Sequence, residues 1–161
     1  NTGATGSQGP TGYTGPQGLA GTASNTGATG AAGIGLSSRI TASATTPVLA
    51  ASGSVAVSIT GFKGYALYSI QVSYGAWVSV YSSTAARTAD ASRLITTDPT
   101  PGSGVIAEAI TTTASTVLFT PAAVGFSSES VPNTTIPIKV YNNGAGSSAI
   151  TVTLTLVQLE A

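Results

Sequence analysis

The sequence of 161 residues contains no cysteine, no histidine and no methionine. Without cysteine it can form no disulfide and offer no thiolate nucleophile, and without histidine the usual catalytic triads and zinc ligand sets are excluded. Stability must therefore come from the burial of apolar surface. The lack of cysteine does not by itself place the protein in any cellular compartment.

Charge is equally scarce, because five basic and five acidic residues make up only 6% of the chain and cancel. A typical globular protein is about a quarter charged. A chain with no basic excess does not attract phosphate, so we expect no nucleic-acid partner. It shows no basic amphipathic face for a membrane surface, and serine and threonine interrupt every apolar run before about 18 residues. We therefore expect no membrane partner.

The five carboxylates show no spacing typical of an acid/base pair, and Gly102-Ser103-Gly104 is typical of a turn rather than of a phosphate-binding loop. We therefore expect the protein not to be an enzyme, with no catalytic, cofactor-binding or metal-binding residue and no cofactor.

Glycine is what the N-terminal part of the chain has in abundance, at every third position. The series is broken once, at Ser24, and continues afterwards in the same register. Its members are Gly3, Gly6, Gly9, Gly12, Gly15, Gly18, Gly21, Gly27, Gly30 and Gly33. This period is typical of the collagen triple helix, in which three polyproline-II chains wind together and only a hydrogen atom fits at the axis.

The period predicts a collagen-like triple-helical stalk over residues 1–35, roughly 90 Å long at about 3 Å per residue. Three chains are needed, so it also predicts a homotrimer. The alternative is a flexible Gly/Thr linker. Because the chain starts at Asn1 already in register, we expect it to be the C-terminal part of a longer protein.

Residues 36–161 are predicted to form an all-β head domain. Apolar and polar residues alternate in several short segments, namely 55–59, 68–72, 77–81, 136–140 and 150–156, with further strand candidates at 105–111 and 115–120. The stretch 82–104 is rich in turn residues, and no helical stretch is predicted. About eight short strands predict an antiparallel β-sandwich, for which we prefer a jelly-roll-like topology over an immunoglobulin-like one.

Three local patterns refine this prediction. Pro137 places its strand at a sheet edge or a bulge. Asn142-Asn143-Gly144 has the composition of a hairpin turn. The last strand has apolar residues on both faces from Leu154 to Leu159, which fits either a central strand buried on both sides or a strand that also forms the trimer interface.

Half of all the charges fall within 22 residues, at Arg87, Asp90, Arg93, Asp98 and Glu108. We predict that these five form a salt-bridge network that fastens a long loop to the sandwich or to a neighbouring chain. A surface site for a sugar or another partner remains open. So does a calcium site formed by the three carboxylates of the set.

Trp77, with Tyr74 and Tyr81, also allows two interpretations. Aromatic side chains in strands most often pack in a core or an interface, and they can also stack on a sugar ring.

Both halves of the chain resemble known proteins. Triplets such as Gly9-Pro10-Thr11 and Gly27-Ala28-Thr29 look like those of bacterial exosporium filament proteins, which carry trimeric heads of the complement C1q type. The head resembles C-terminal domains of bacteriophage fibre and tail proteins, notably of cyanophages. The residues that carry this second resemblance are Ala76-Trp77-Val78, Arg87 with Asp90 and Arg93, Asp98-Pro99, and Gly102 through Glu108.

The phage resemblance implies a viral structural protein on the virion surface, as part of a tail fibre, head fibre or decoration. Its expected partners are two further copies of itself and other virion proteins, reached through a region before Asn1. Two other functions stay open. One is an adhesin whose head holds a host-surface glycan during host attachment, and the other is an exosporium or surface filament protein.

Overall fold

The computed structural model describes residues 2–7, 9–17 and 38–160. The chain divides into two compact units, Asn1–Gly33 and Ile34–Ala161. In the first unit, the described residues form neither helix nor strand. Several positions of the predicted stalk, namely Gly18, Gly21, Ser24, Gly27, Gly30 and Gly33, lie outside the described residues.

The second unit is a sandwich of two antiparallel β-sheets, which confirms the predicted all-β class. Its strands are β1 (Ile40–Thr45), β2 (Ser54–Thr60), β3 (Gly64–Val72), β4 (Ala76–Tyr81), β5 (Val105–Ile110), β6 (Ser115–Phe126), β7 (Thr135–Asn142) and β8 (Thr151–Glu160). One short helix, α1 (Thr84–Ala89), lies between β4 and β5. Among the described residues, no helix is long and apolar enough to cross a membrane.

Each sheet has four strands. The first sheet has the order β1-β8-β3-β6, and the second has the order β2-β7-β4-β5. All strand pairs are antiparallel. Of the seven consecutive pairs of strands, only β4 and β5 are neighbours in one sheet, so every other connection crosses from one sheet to the other.

Period-two alternation determines which residues form the core between the sheets. On β8 the side chains of Val152, Leu154 and Leu156 are fully buried, and on β7 those of Ile138 and Val140 are as well. Threonines and other polar residues alternate with these positions and face outward. The core is therefore a layer of aliphatic side chains contributed by both sheets.

Two strands differ from the sequence prediction. β1 was not identified, because its alternating residues are small or hydroxylated and stay partly exposed. β6 was expected to end before Pro121 but runs on to Phe126. Its register against β3 jumps from Leu118 to Ala123, so the proline lies within a bulge, where the ladder does not require its missing N–H.

The prediction from Pro137 is wrong for its strand as a whole, because β7 lies between β2 and β4. The pairing of β7 with β4 ends at Ile138, whereas the pairing with β2 continues through Ser58 and Pro137. The proline thus has a neighbouring strand on one side only, and this explains why it is tolerated.

The predicted hairpin at Asn142-Asn143-Gly144 is also wrong. The turn exists, with the Gly144 amide donating to Asn142 Oδ1 at 3.0 Å, but the strands on either side of it belong to different sheets. The last strand is central in the first sheet, but it is not buried on both faces, because its threonines stay partly exposed and Leu159 is exposed.

The stretch 82–104 contains α1, so the prediction of no helical stretch is wrong. Ser83 caps the helix by accepting a hydrogen bond from the Ala86 amide at 3.1 Å, and the carboxylate of Glu129 accepts another from the Thr84 amide. The helix has only six residues and buries none of them. Such a short element leaves no apolar period in the sequence, which is why it was missed.

Candidate functional site

The connection between β4 and β5, residues 82–104, covers part of the outer face of the second sheet. Trp77, Ser79 and Tyr81 alternate with the core residues Val78 and Val80, so they point away from the core. They are nevertheless buried, with Trp77 only 2% exposed. Their burial follows from contacts with side chains of the connection, which acts as a partial third layer over the sheet.

Arg93 is the centre of these contacts. Its Nε donates to Asp90 Oδ1 at 2.8 Å, and its terminal nitrogens donate to Glu108 on β5 and to the Thr97 carbonyl oxygen at 2.9 Å. The Arg93 side chain is 8% exposed and that of Asp90 is 10% exposed. One guanidinium therefore joins the connection to the sheet with two carboxylates and one backbone carbonyl, in the forked geometry that suits arginine.

Glu108 also accepts hydrogen bonds from the sheet itself. Trp77 Nε1 donates to Glu108 Oε1 at 2.9 Å, and Ser79 Oγ donates to the same oxygen at 2.6 Å. Asp90 is held in a similar way by the Tyr81 hydroxyl, which donates to Oδ2 at 2.7 Å. Each carboxylate thus has both an ionic partner and neutral donors, as buried charges require.

Lys139 on β7 supplies the second cation. Its Nζ donates to the Asp90 carbonyl oxygen at 2.9 Å and lies 4.0 Å from the Asp90 carboxylate. It also lies 4.5 Å from the centroid of the Trp77 ring, and the Arg93 guanidinium carbon lies 4.9 Å from it. Two cations therefore rest against one indole, an arrangement that adds cation–π attraction to the ion pairs.

The electrostatics follow from these contacts. Burial alone would raise the pKa of the Asp90 carboxyl, but hydrogen bonds from Arg93 and Tyr81 outweigh it and hold that pKa below its usual range. The pKa of Glu108 is lowered in the same way, since bonds from Arg93, Ser79 and Trp77 outweigh the effect of burial. Both carboxylates are therefore ionised at neutral pH.

The pKa values of the two basic side chains, Arg93 and Lys139, shift in opposite directions. Burial alone would lower the pKa of the Arg93 guanidinium, but its bonds to Asp90 and Glu108 raise it. Burial lowers the pKa of the Lys139 ammonium, and the nearby Asp90 carboxylate opposes this only in part. Burial together with the hydrogen bond to Asp90 raises the pKa of the Tyr81 phenol.

Of the five residues predicted to form a network, the structure brings three together, namely Asp90, Arg93 and Glu108. Arg87 lies outside it, because its guanidinium donates to the Val57 carbonyl oxygen on β2 at 2.7 Å. Asp98 takes part in none of the ion pairs between described residues. The loop that the network holds is attached to the sheet of its own chain.

The sequence prediction missed Lys139, and it assigned no polar role to Trp77 and Tyr81. The alternation of β7 places Lys139 outside the core, but nothing in the sequence brings it next to residues 90–93. The aromatic residues offered a weak signal, since Trp77 and Tyr81 share a face with Ser79. Trp77 and Tyr81 are too deeply buried to stack on a sugar.

The carboxylates do not converge on a metal site. Within residues 2–7, 9–17 and 38–160, no group of three histidine, cysteine, aspartate or glutamate residues could hold an ion. Asp90 and Glu108 instead share the Arg93 guanidinium, and Lys139 supplies a second positive charge 4.0 Å from the Asp90 carboxylate. The same saturation leaves neither carboxylate free to act as a general base toward a bound molecule.

A groove runs between the β4–β5 connection and strands β2 and β7. It consists of two cavities of about 330 and 210 Å³ that share Ser54, Ala91 and Lys139. The larger cavity also reaches Tyr141 and Leu94, and the smaller one reaches Arg87. We call this feature the β2 groove, since β2 forms its outer edge.

No family model matches the chain, and neither does any curated protein or solved structure.

Proposed function

We propose that the protein is a structural component of a phage virion, a homotrimeric fibre or decoration protein in which a collagen-like stalk carries a β-sandwich head. Three features of the chain support this function, namely the glycine period, the topology of the head and the chemistry of its buried charges. This function places the protein on the virion surface, in contact with other virion proteins.

The observation that carries the proposal concerns the described glycines of the period, which are Gly3, Gly6, Gly9, Gly12 and Gly15. Apart from the two adjacent residues of the chain, none has an atom within 4 Å of the place where a Cβ would stand, and none has a positive φ. The two usual reasons for glycine within a single chain, close contact and left-handed backbone, are therefore missing. Packing against two partner chains explains these glycines instead, because only glycine fits at the crowded axis of a triple helix.

Glycines of the sandwich behave in the opposite way. A Cβ on Gly125 would collide with the ring of Tyr65, and a Cβ on Gly104, where φ is +83°, would lie 2.7 Å from Ala86 Cβ. At Gly104 and Gly125, contacts and backbone conformation within a single chain are enough to explain why the residue is glycine. The contrast supports a structural role between chains for the glycine period.

The strand order supports a jelly-roll head. In an eight-strand jelly roll, successive strands alternate between two four-stranded antiparallel sheets, except that the fourth and fifth strands are neighbours in one sheet. The orders β1-β8-β3-β6 and β2-β7-β4-β5 follow that scheme. The four strands of the first sheet carry one charged residue, Glu160 at the end of β8, so copies can approach this sheet with little charge repulsion.

The buried charges support a mechanical rather than a catalytic role. Asp90, Arg93 and Glu108 satisfy one another, and they hold a connection against a sheet. Such a network rigidifies the head without offering a reactive group. Three rigid heads on one rod can act as a cap, and weak contacts made by each head add through avidity.

The trimer is tested with Gly12→Ala and its matched control Thr11→Ala in the full chain. Both change one residue of one triplet, but only the first puts three methyl groups at the axis. We expect Gly12→Ala to lower the triple-helical circular dichroism transition strongly and Thr11→Ala to change it little. Light scattering should give three chains. A single chain, or equal effects of the two variants, would refute the stalk.

The location is tested by immunogold electron microscopy of intact particles, with antibodies raised against residues 38–160. Label on projecting fibres or on the capsid surface is the expected result. Label confined to spores or to a bacterial surface would replace the phage assignment by the filament alternative.

A second candidate function is a glycan-binding adhesin. The β2 groove favours this function, because its two adjoining cavities are open to solvent and large enough to receive a small ligand. A stalk would hold such a groove away from the point where the fibre is anchored. Incubation with host-surface polysaccharide separates the functions, since an adhesin binds it saturably and a purely structural fibre does not. Cleavage of the polysaccharide would refute both.

A further inference from the structure

The charged residues that line the β2 groove all have the same sign. Arg93 and Lys139 line the larger cavity, and Arg87 and Lys139 line the smaller one. The chain has only five basic residues in total, so three of them border one groove. No acidic side chain lines either cavity.

The acidic partners are on the other side of these cations. Asp90 pairs with both Arg93 and Lys139, and Glu108 pairs with Arg93. The buried Trp77 and Tyr81 side chains donate hydrogen bonds to the same two carboxylates. The three cations and two carboxylates leave an excess of one positive charge. In a nearly neutral chain, that excess is concentrated at the groove.

Arg87 carries the excess. It takes part in none of the salt bridges between described residues, and one terminal nitrogen donates to the Val57 carbonyl oxygen. A weaker contact of 3.5 Å joins the same nitrogen to Ser58 Oγ. The hydrogen bond to β2 fixes the direction of the guanidinium, and its other nitrogens have donors left for a carboxylate.

The rest of the groove suits a sugar ring. Tyr141 is half-buried in the larger cavity, and Leu94 is 68% exposed at its rim. An aromatic ring and an aliphatic side chain offer surface to the apolar face of a pyranose. The hydroxyls of Ser54, Ser92 and Thr96 line the same cavity and can exchange hydrogen bonds with sugar hydroxyls.

We propose that the β2 groove binds an acidic oligosaccharide, with a sugar carboxylate on Arg87 and a neighbouring ring against Tyr141. Two adjoining cavities fit a ligand of more than one ring. The network around Arg93 keeps the wall formed by the connection in place, so the site exists before the ligand arrives. This inference rests on the adhesin candidate and does not need the stalk or the trimer.

The test is titration calorimetry of the full chain with trigalacturonic acid, and with neutral galactotriose under the same conditions. We expect saturable binding of the acidic trisaccharide only. Arg87→Gln should weaken it by about tenfold or more, because a charged bidentate contact is lost. Arg87→Lys keeps the charge and should retain part of the affinity.

The matched control is Lys63→Gln, which removes one positive charge at a site outside the groove. It should leave the affinity unchanged within about twofold, while thermal melting checks that both variants are folded. Equal weakening by Lys63→Gln and Arg87→Gln would overturn the proposal, as would equal binding of the neutral trisaccharide. Displacement by inorganic phosphate at equal concentration would overturn the assignment to a sugar.

Light scattering on the same sample keeps this test apart from that of the trimer. Binding by a single chain supports the groove and contradicts the proposed trimer. A trimer that fails to bind trigalacturonic acid contradicts the groove and leaves the structural proposal intact.

Discussion

The outer face of the second sheet carries Glu108 and Lys139 beneath a connection that adds Asp90 and Arg93. The outer face of the first sheet is almost without charge and carries threonine hydroxyls along β8 and exposed apolar side chains such as Leu118 along β6. Thr151, Thr153 and Thr155 alternate along β8 with buried aliphatic residues. Cross-strand pairs such as Thr45 with Thr151, whose oxygens are 2.8 Å apart, link neighbouring strands.

The difference shows that this protein places its charge where a loop must be held and almost none elsewhere on the two sheets. On the first sheet charge is almost absent, and the outer face of β8 meets solvent through neutral threonine hydroxyls. On the second sheet it is concentrated and buried, and an ion pair specifies one position for a connection that has no hydrophobic core of its own. Such networks determine geometry more than they add stability.

The largest expected effect is that of Arg93→Ala. It leaves the carboxylates of Asp90 and Glu108 without their shared cation, so we expect a loss of about 3–5 kcal/mol in the free energy of unfolding. Urea denaturation measures it. The matched variant Arg87→Ala loses one hydrogen bond and should cost at most about 1–2 kcal/mol. Equally mild losses for both variants would mean that the network does not hold the connection.

The second prediction is a loss of stability at acidic pH, caused by protonation of Asp90 and Glu108. The folded-state pKa values of Asp90 and Glu108 are held below their ordinary values of 3.8 and 4.5. Their contribution to stability is therefore complete above those ordinary values and is lost as the pH falls through the folded-state values. Thermal melting measured between about pH 6 and pH 2, a range that spans the ordinary titration of carboxyl groups, should show this loss. The Arg93→Ala variant should show a flatter acid dependence, and parallel curves would contradict the assignment.

A smaller effect is expected from Ser79→Ala. The hydroxyl is fully buried and donates to Glu108 Oε1, so its removal should cost about 1–2 kcal/mol in the free energy of unfolding. Chemical denaturation of the variant gives the value. No change would mean that Trp77 and Arg93 satisfy that oxygen without the serine.

The smallest effect is expected on the first sheet, from Thr153→Val. The substitution removes a hydroxyl from a half-exposed position and keeps the β-branched shape. We expect a change within about 0.5 kcal/mol, measured by the same denaturation experiment. A loss as large as that of Ser79→Ala would remove the contrast between the two faces and point to a specific role for this hydroxyl.

Much of the sandwich could be predicted because period-two alternation is a local property. β8 was the clearest strand, since valine and leucine alternate with threonine along it. β1 could not be found, because its alternating residues are small or hydroxylated, and only its pairing with β8 more than a hundred residues away makes it a strand. The position of Pro137 inside a sheet likewise depends on where the pairing with β4 ends.

The candidate site was predictable only in part. The density of charge between Arg87 and Glu108 is visible in the sequence, and it pointed to three residues that do form ion pairs. Arg87 is excluded because its guanidinium reaches the Val57 carbonyl oxygen of β2, a contact that the sequence does not show. Asp98 takes part in none of the ion pairs between described residues. Lys139 could not be found, because β7 comes next to β4 only when the sheet assembles.

The sequence by itself determined the all-β class, the alternation that fills the core and the scarcity of charge, because each of these is a matter of composition or of local period. It also set the glycine period, from which the trimer is proposed. Only the tertiary structure decided which charges meet, which aromatic residues are covered and where a groove remains open. Those features depend on contacts between residues that are distant in sequence, and folding selects such contacts by packing the whole chain at once.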